Sequence, residues 1–255
     1  MEAQNVKKRY YIIDIIRAVA IINMIAYHFL FDLYNFGIID WFFEPPMDAW
    51  QQCICITFIF VSGFSFQLGK KQWKRGLIIL GCAAALSLAT HIIDLVAPGT
   101  RISFGILCFM ASAMLITIPI HLLVKKLKYA HWIGFFASLL IFILIRGIDL
   151  GTIIFGYVKM PEILYANYFT TYLGFAHNGF YSADYFPILP WIFLYLTGYF
   201  AFSILKQLDL LKYLSALRIK PLEFIGRHTL PIYMAHQVVL FPIAFIIAQI
   251  LSWKN

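Results

Sequence analysis

The chain has 255 residues, of which 62% are hydrophobic and only 13% charged, with a formal net charge of +8. A soluble domain carries roughly twice that charged fraction, and apolar runs of about 20 residues recur along the whole length, each enough to cross roughly 30 Å of hydrocarbon. The runs are continuously apolar rather than alternating, which excludes a β-barrel and predicts an all-α integral membrane protein; the positive charge is explained by topology rather than by nucleic acid.

Seven spans are expected, at about 11–32, 50–69, 76–97, 102–124, 131–149, 187–205 and 229–250, in a single domain over 1–255. The first run is too long for a signal-peptide core and carries Asp14 and Arg17, so it is expected to stay as a span. Part of 150–172 is apolar enough to be interfacial or re-entrant, which makes eight spans the alternative count. Residues 206–228 read as a basic amphipathic segment on the membrane surface.

Lysine and arginine set the orientation. With the N-terminus cytoplasmic, fifteen basic residues face the cytoplasm, and four (Arg101, Arg146, Lys159 and Lys254) face out. Asp32, Asp40, Glu44, Asp48, Asp94, Asp149, Glu162 and Asp184 fall on the outer side. The plasma membrane, crossed several times, is the expected location. Cys53, Cys55, Cys82 and Cys108 all lie in apolar runs without zinc spacing, and read as buried inert thiols. No metal site and no internal repeat is legible.

The first span carries a polar stripe. At 3.6 residues per turn, Asp14, Arg17, His28 and Asp32 lie within about 60° of one another, over roughly 27 Å of helix. Ionisable groups in a span face a protein interior or a water-filled cavity and mark pathways or sites. Asp14 and Arg17 also fit a plain interfacial pair. Asp32, one turn beyond His28, is placed to accept a proton from the imidazole and fix its tautomer.

These residues carry a resemblance. "RYYIIDIIRAVAIINMIAYHFLFDL" resembles the opening of the heparan-alpha-glucosaminide N-acetyltransferase catalytic-domain family. "FIFVSGFSFQLGKK", "RISFGILCFMASAMLI", "DYFPILPWIFLYLTGYF" and "FIGRHTLPIYMAHQVVL" resemble that family's later blocks, in order and over nearly the whole chain. Ten residues separate Arg17 from His28, similar to the Arg-x10-His signature of the related acyltransferase 3 superfamily, whose His is held to be catalytic. The resemblance implies acetyl transfer across the membrane, from cytoplasmic acetyl-CoA to a sugar amine or hydroxyl on the other side. In the animal enzymes of the family the position matching His28 is often Asn, and those enzymes carry a lumenal domain and more spans. The heparan substrate is therefore not carried over.

In this reading His28 is the general base or acyl carrier and Asp32 its orienter. Arg17, Lys71, Arg75 and Arg227, with Lys70 and Lys74, are candidates for the phosphates of CoA, although positive-inside topology alone accounts for the lysine runs. Arg227 stands just before a helix N-terminus suited to phosphate. Asp14 belongs to the family-like opening, and His236 with Tyr233 to a family-like cofactor tunnel; a packing role for His236 is the alternative. Arg101 would steady an oxyanion or an acidic sugar, or cap a helix entry. His177 and Asp184, with Tyr165, Tyr168 and Tyr181, suit a sugar acceptor, but an aromatic membrane belt has the same composition. His91, His121 and His131 match no motif and read as interfacial. The expected partners are the lipid bilayer, a CoA thioester and a glycan or amino-sugar acceptor, with a homodimer compatible. A transporter or flippase of a glycan or lipid precursor is the rival reading.

Overall fold

A computed structural model describes residues 9–42, 44–124, 127 and 129–252. Long apolar runs become helices because a backbone in hydrocarbon must satisfy its own N–H and C=O groups. In chain order the helices are α1 (Tyr11–Asn35), α2 (Pro45–Ser65), α3 (Gln72–Asp94), α4 (Ile106–Val124), α5 (Ala130–Leu144), α6 (Tyr168–Leu173), α7 (Trp191–Gln207), α8 (Lys220–Arg227) and α9 (Thr229–Ser252). The protein is a helical membrane protein, and among the described residues six stretches are long and apolar enough to span: α1, α2 with its 3-10 extension to Leu68, α3, α4, α5 extended to Leu150, and α9. The expected span 187–205 falls on α7, whose 17 residues cover about 25 Å and which is not one of these six. It begins at Trp191, directly after Pro187 and Pro190, neither of which has an N–H to donate to a helical ladder.

No helix of spanning length forms between 150 and 172, so the eighth span is not made. Gly151 at φ 81° and Gly156 at φ 90° turn the chain instead. Gly151 stands just before β1 (Thr152–Ile153), and Gly156 lies in the turn that joins it to its antiparallel partner β2 (Val158–Lys159). The short helix α6 follows, closed by a capping box in which the Asn167 side chain accepts from the N–H groups of Phe169 and Thr170.

The chain divides into two compact units, Met1–Val61 with Leu208–Asn255, and Ser62–Gln207. In the first, α1 packs on α8 and α9. Contacts along α1 and α9 advance together. Ile21 and Met24 meet Ile232 and Tyr233, His28 meets His236, Asp32 meets Gln237, and Phe36 meets Phe241 and Phe245. The two helices are therefore parallel. At the other end of α1 a Cβ on Gly226 would lie 1.9 Å from the Asp14 carbonyl oxygen, so α8 touches α1 backbone to backbone. The segment 206–228 thus differs from a simple surface helix: α8 buries Glu223 and Gly226, and Ser215 Oγ donates to the Arg9 carbonyl at 2.7 Å.

In the second unit α3 pairs with α4 and α5 with α7. Gly134 admits the ring of Phe200, and Ser138 Oγ lies 3.0 Å from Thr197 Oγ1. Gly63 lets the end of α2 reach α7, where an added Cβ would sit 1.8 Å from the Tyr195 carbonyl oxygen. Helix α7 is apolar on all sides and buried along most of its length. The four cysteines are free thiols. Only Cys55 is buried; Cys53 is exposed, because positions two apart on a helix point in different directions.

Candidate functional site

The stripe read on α1 faces α8 and α9. Asp14 is 7% exposed and Asp32 2% exposed, so both carboxylates leave solvent despite their cost. Asp14 Oδ2 accepts from Arg9 Nε at 3.0 Å and Nη2 at 2.8 Å, and Arg17 Nη1 lies 3.7 Å from Asp14 Oδ1. One acid is thus held between two arginines. Beside it, Glu223 (2% exposed) pairs with Arg227 Nη2 at 3.1 Å and Arg218 Nε at 3.4 Å. Arg227 stands just before the N-terminus of α9, which starts at Thr229; it is also the last residue of α8, and its side chain turns back along that helix to Glu223.

About 21 Å farther along α1, by helical rise, stands the second polar level. The rings of His28 and His236 face each other, with centroids 5.0 Å apart and an interplanar angle of 54°. His236 Nδ1 contacts the Tyr233 carbonyl oxygen, which can only accept. Nδ1 therefore carries the proton, and in the neutral ring Nε2 keeps its lone pair. Neither nitrogen of His28 has a hydrogen-bond partner among the described residues.

The expected hydrogen bond from His28 to Asp32 is not formed. Asp32 instead accepts from Gln237 Nε2, at 2.8 Å to Oδ1 and 2.9 Å to Oδ2. The reason is the neighbouring helix: His236 and Gln237 are consecutive on α9, and each takes one of the two stripe residues. Gln237 Oε1 is buried without a partner among the described residues.

The remaining expected residues belong to the second unit. Lys71 is left-handed (φ 56°) immediately before α3, and Arg75 lies in its first turn, close over Gly69. Arg101 Nε donates to the Tyr181 carbonyl at 3.3 Å, and its guanidinium lies 5.9 Å from that ring. Asp184 Oδ2 accepts from the Ile106 N–H at 2.9 Å at the start of α4. Burial pushes the Asp184 carboxyl up from 3.8 to about 6, against the opposing effect of that N–H. His177 Nδ1 lies 2.8 Å from Thr171 Oγ1, and its ring is 4.7 Å from that of Tyr168.

So the structure groups Asp14, Arg17, His28, Asp32, Arg227, Tyr233 and His236 in one unit, and Lys71, Arg75, Arg101, His177 and Asp184 in the other. Sequence reasoning missed three contributors. Arg9 looked like one more cytoplasmic charge. Gln237 stood in the His–Gln pair of the last block without a role. His91 read as interfacial, yet it lines a cavity of about 320 Å³ in the second unit together with Ser87, Ser103, Tyr168 and Asp184.

These helices and their buried polar face define a multi-pass membrane protein. The chain belongs to the heparan-alpha-glucosaminide N-acetyltransferase catalytic family, whose sequence model matches residues 9–238. The match runs from the Arg9 that pairs with Asp14 to the residue after Gln237. Membership makes it a member of a transmembrane acetyltransferase family. Comparison with curated proteins and with solved structures finds no match.

Proposed function

We propose that the protein carries an acetyl group from cytoplasmic acetyl-CoA to a sugar amine or hydroxyl on the far side of the plasma membrane, with His28 as the general base. The observation that carries this reading is the His28 imidazole. It lies on a stripe that is otherwise paired, its nitrogens have no partner among the described residues, and a second imidazole stands 5.0 Å away.

In the reaction the acceptor nitrogen or oxygen attacks the thioester carbonyl. The new C–N or C–O bond forms and the C–S bond breaks. His28 takes the proton of the acceptor, and that proton is then available to the departing CoA thiolate. General-base help of this kind is worth about 10²–10⁴-fold. Asp32 acts through Gln237 and α9, holding the two helices in register around the histidines, rather than as the direct orienter of His28. Arg17 and Arg227, each paired with an acid on the N-terminal side of the site, are assigned to the phosphates of CoA, with Asp14 fixing Arg17. Lys71 and Arg75 add positive charge on the same cytoplasmic side. Tyr233 and His236 line the path of the pantetheine arm, whose roughly 15–20 Å extended length matches a thioester reaching the histidine level from that end. Arg101, His177 and Asp184 are assigned to the acceptor.

Seven crossings with a cytoplasmic N-terminus fit this scheme. The parallel run of α1 and α9 supports an odd number of alternating crossings, and counting α7 as one of them makes seven. The test is His28→Ala in the full chain, with acetyl-CoA binding and acetyl transfer measured on one preparation. Transfer should vanish while binding persists; turnover at the native rate would sink the assignment.

A further inference from the structure

The cavity in the second unit is graded from apolar to polar. Its α3 wall is made by Leu80, Ala83, Ser87 and His91, which share one helix face. From Leu80 to His91 is about 16 Å of helix, starting in the middle of an apolar span and ending at its last turn.

At the polar end, His91 Nδ1 lies 2.7 Å from the Ser87 carbonyl oxygen and Nε2 lies 3.3 Å from Ser103 Oγ. The carbonyl can only accept, so Nδ1 holds the proton and Nε2 accepts from the Ser103 hydroxyl. The Asp184 carboxylate lines the same cavity. Its single hydrogen bond among the described residues is the Ile106 N–H, and no cation reaches it there. A half-buried carboxylate without a counter-charge is costly, and a ligand cation removes that cost. The exposed ring of Tyr168, braced by His177, gives the same end a flat aromatic wall.

We propose that this groove binds the acceptor as an amino sugar carried on a hydrophobic chain. The chain lies along Leu80 and Ala83, the sugar face rests on Tyr168, and the ammonium or amine meets Asp184. That the occupant is an acceptor rests on the transferase reading above; the groove's selectivity does not. About 320 Å³ is at the small end of ligand pockets, which run to roughly 1,000 Å³. It suits one sugar and the first part of a chain, not an oligosaccharide or a nucleotide. Burying only two or three methylenes there is enough for a roughly 10-fold preference for a chain-linked over a free sugar.

The experiment measures binding of n-octyl β-D-glucosaminide, n-octyl β-D-glucoside and free glucosamine to the full chain in lipid nanodiscs. The octyl glucosaminide should bind at least 10-fold tighter than either of the others. Ala83→Phe, which fills the apolar end, should erase the advantage over free glucosamine. Asp184→Asn, which still accepts from Ile106, should erase the advantage over the octyl glucoside. Equal binding of all three probes, wild-type preferences in both variants, or displacement of the glucosaminide by pantetheine would each overturn the proposal. Acetyl-CoA affinity, read on the same nanodiscs, is the separate check on the transferase reading: its absence would break that reading and leave the groove's selectivity standing.

Discussion

Asp32 and Gln237 are 205 positions apart, yet the amide nitrogen of one lies within 3 Å of both carboxylate oxygens of the other. This contact joins α1 to α9 one turn beyond the two histidines. Gln237→Leu strands a buried carboxylate and should cost about 1–3 kcal/mol, the penalty of an unmet buried polar group. Adding Asp32→Leu should return part of the loss, since the two side chains form one unit. Thermal unfolding of the singles and the double in one detergent checks this; strictly additive losses would contradict it.

Under the proposed function His28 and His236 should make separable contributions. Added imidazole should restore part of the transfer lost in His28→Ala, because a diffusible base can enter the vacated space. His236→Ala should lower kcat less, on the order of 10²-fold, the cost of a misplaced reacting group, and imidazole should help it little. Steady-state transfer with and without imidazole reads both.

Gly226 sits where α8 meets the backbone of α1 at Asp14. Gly226→Ala forces a carbon to within 1.9 Å of a carbonyl oxygen and must push the helices apart. The loss should be about 1–3 kcal/mol, as in other overpacked sites. Gly81→Ala is the control: nothing lies within 4 Å, and helix propensity alone should make it neutral or stabilising by up to about 1 kcal/mol. Unfolding midpoints of the two variants should move in opposite directions or differ clearly in size.

Asp184 predicts a dependence on pH. Its carboxyl titrates at about 6 in the folded protein, against 3.8 ordinarily, because burial disfavours the charge. The folded state keeps a proton that the unfolded chain releases, so this stabilising contribution is complete below about pH 4 and is lost as pH rises through 6. His91 and Tyr168 across the cavity, Cys108 on α4 and Arg101 in the preceding loop are unchanged in Asp184→Asn. The difference in melting temperature between wild type and variant should therefore shift in favour of the variant from pH 4.5 to 7.5. The same titration implies that an ammonium ligand binds better above pH 6 than below it.

The sequence made the stripe legible because Asp14, Arg17, His28 and Asp32 share one helix, where 3.6-residue periodicity alone sets their face. It did not make Gln237, Arg9 or His91 legible as partners, since periodicity says nothing about which helix lies opposite. For the same reason the sequence pairs Asp32 with His28: within α1 it is the nearest acceptor, and only the packing of α9 brings in the Gln237 amide that takes it. Span positions followed from the apolar runs, and their ends did not. Pro45 and Pro46 fit the first turn of α2 and extend it, whereas Pro187 and Pro190 delay α7. The stretch 150–172 was apolar enough for a span, but its glycines turn the chain before a helix of that length can form.

The parallel pairing of α1 with α9 has a consequence for biosynthesis. Helix α1 leaves the ribosome before α9, and Gln237, the partner of its buried Asp32, is translated 205 positions later. During insertion Asp32 must wait in the lipid for Gln237, while the central segment, Ser62–Gln207, already holds all of its own contacts. A chain released before residue 236 would keep that central segment and lose both the histidine pair and Gln237. Shortened products should therefore be inserted but inert, with a lone acid in the bilayer exposing them to membrane quality control.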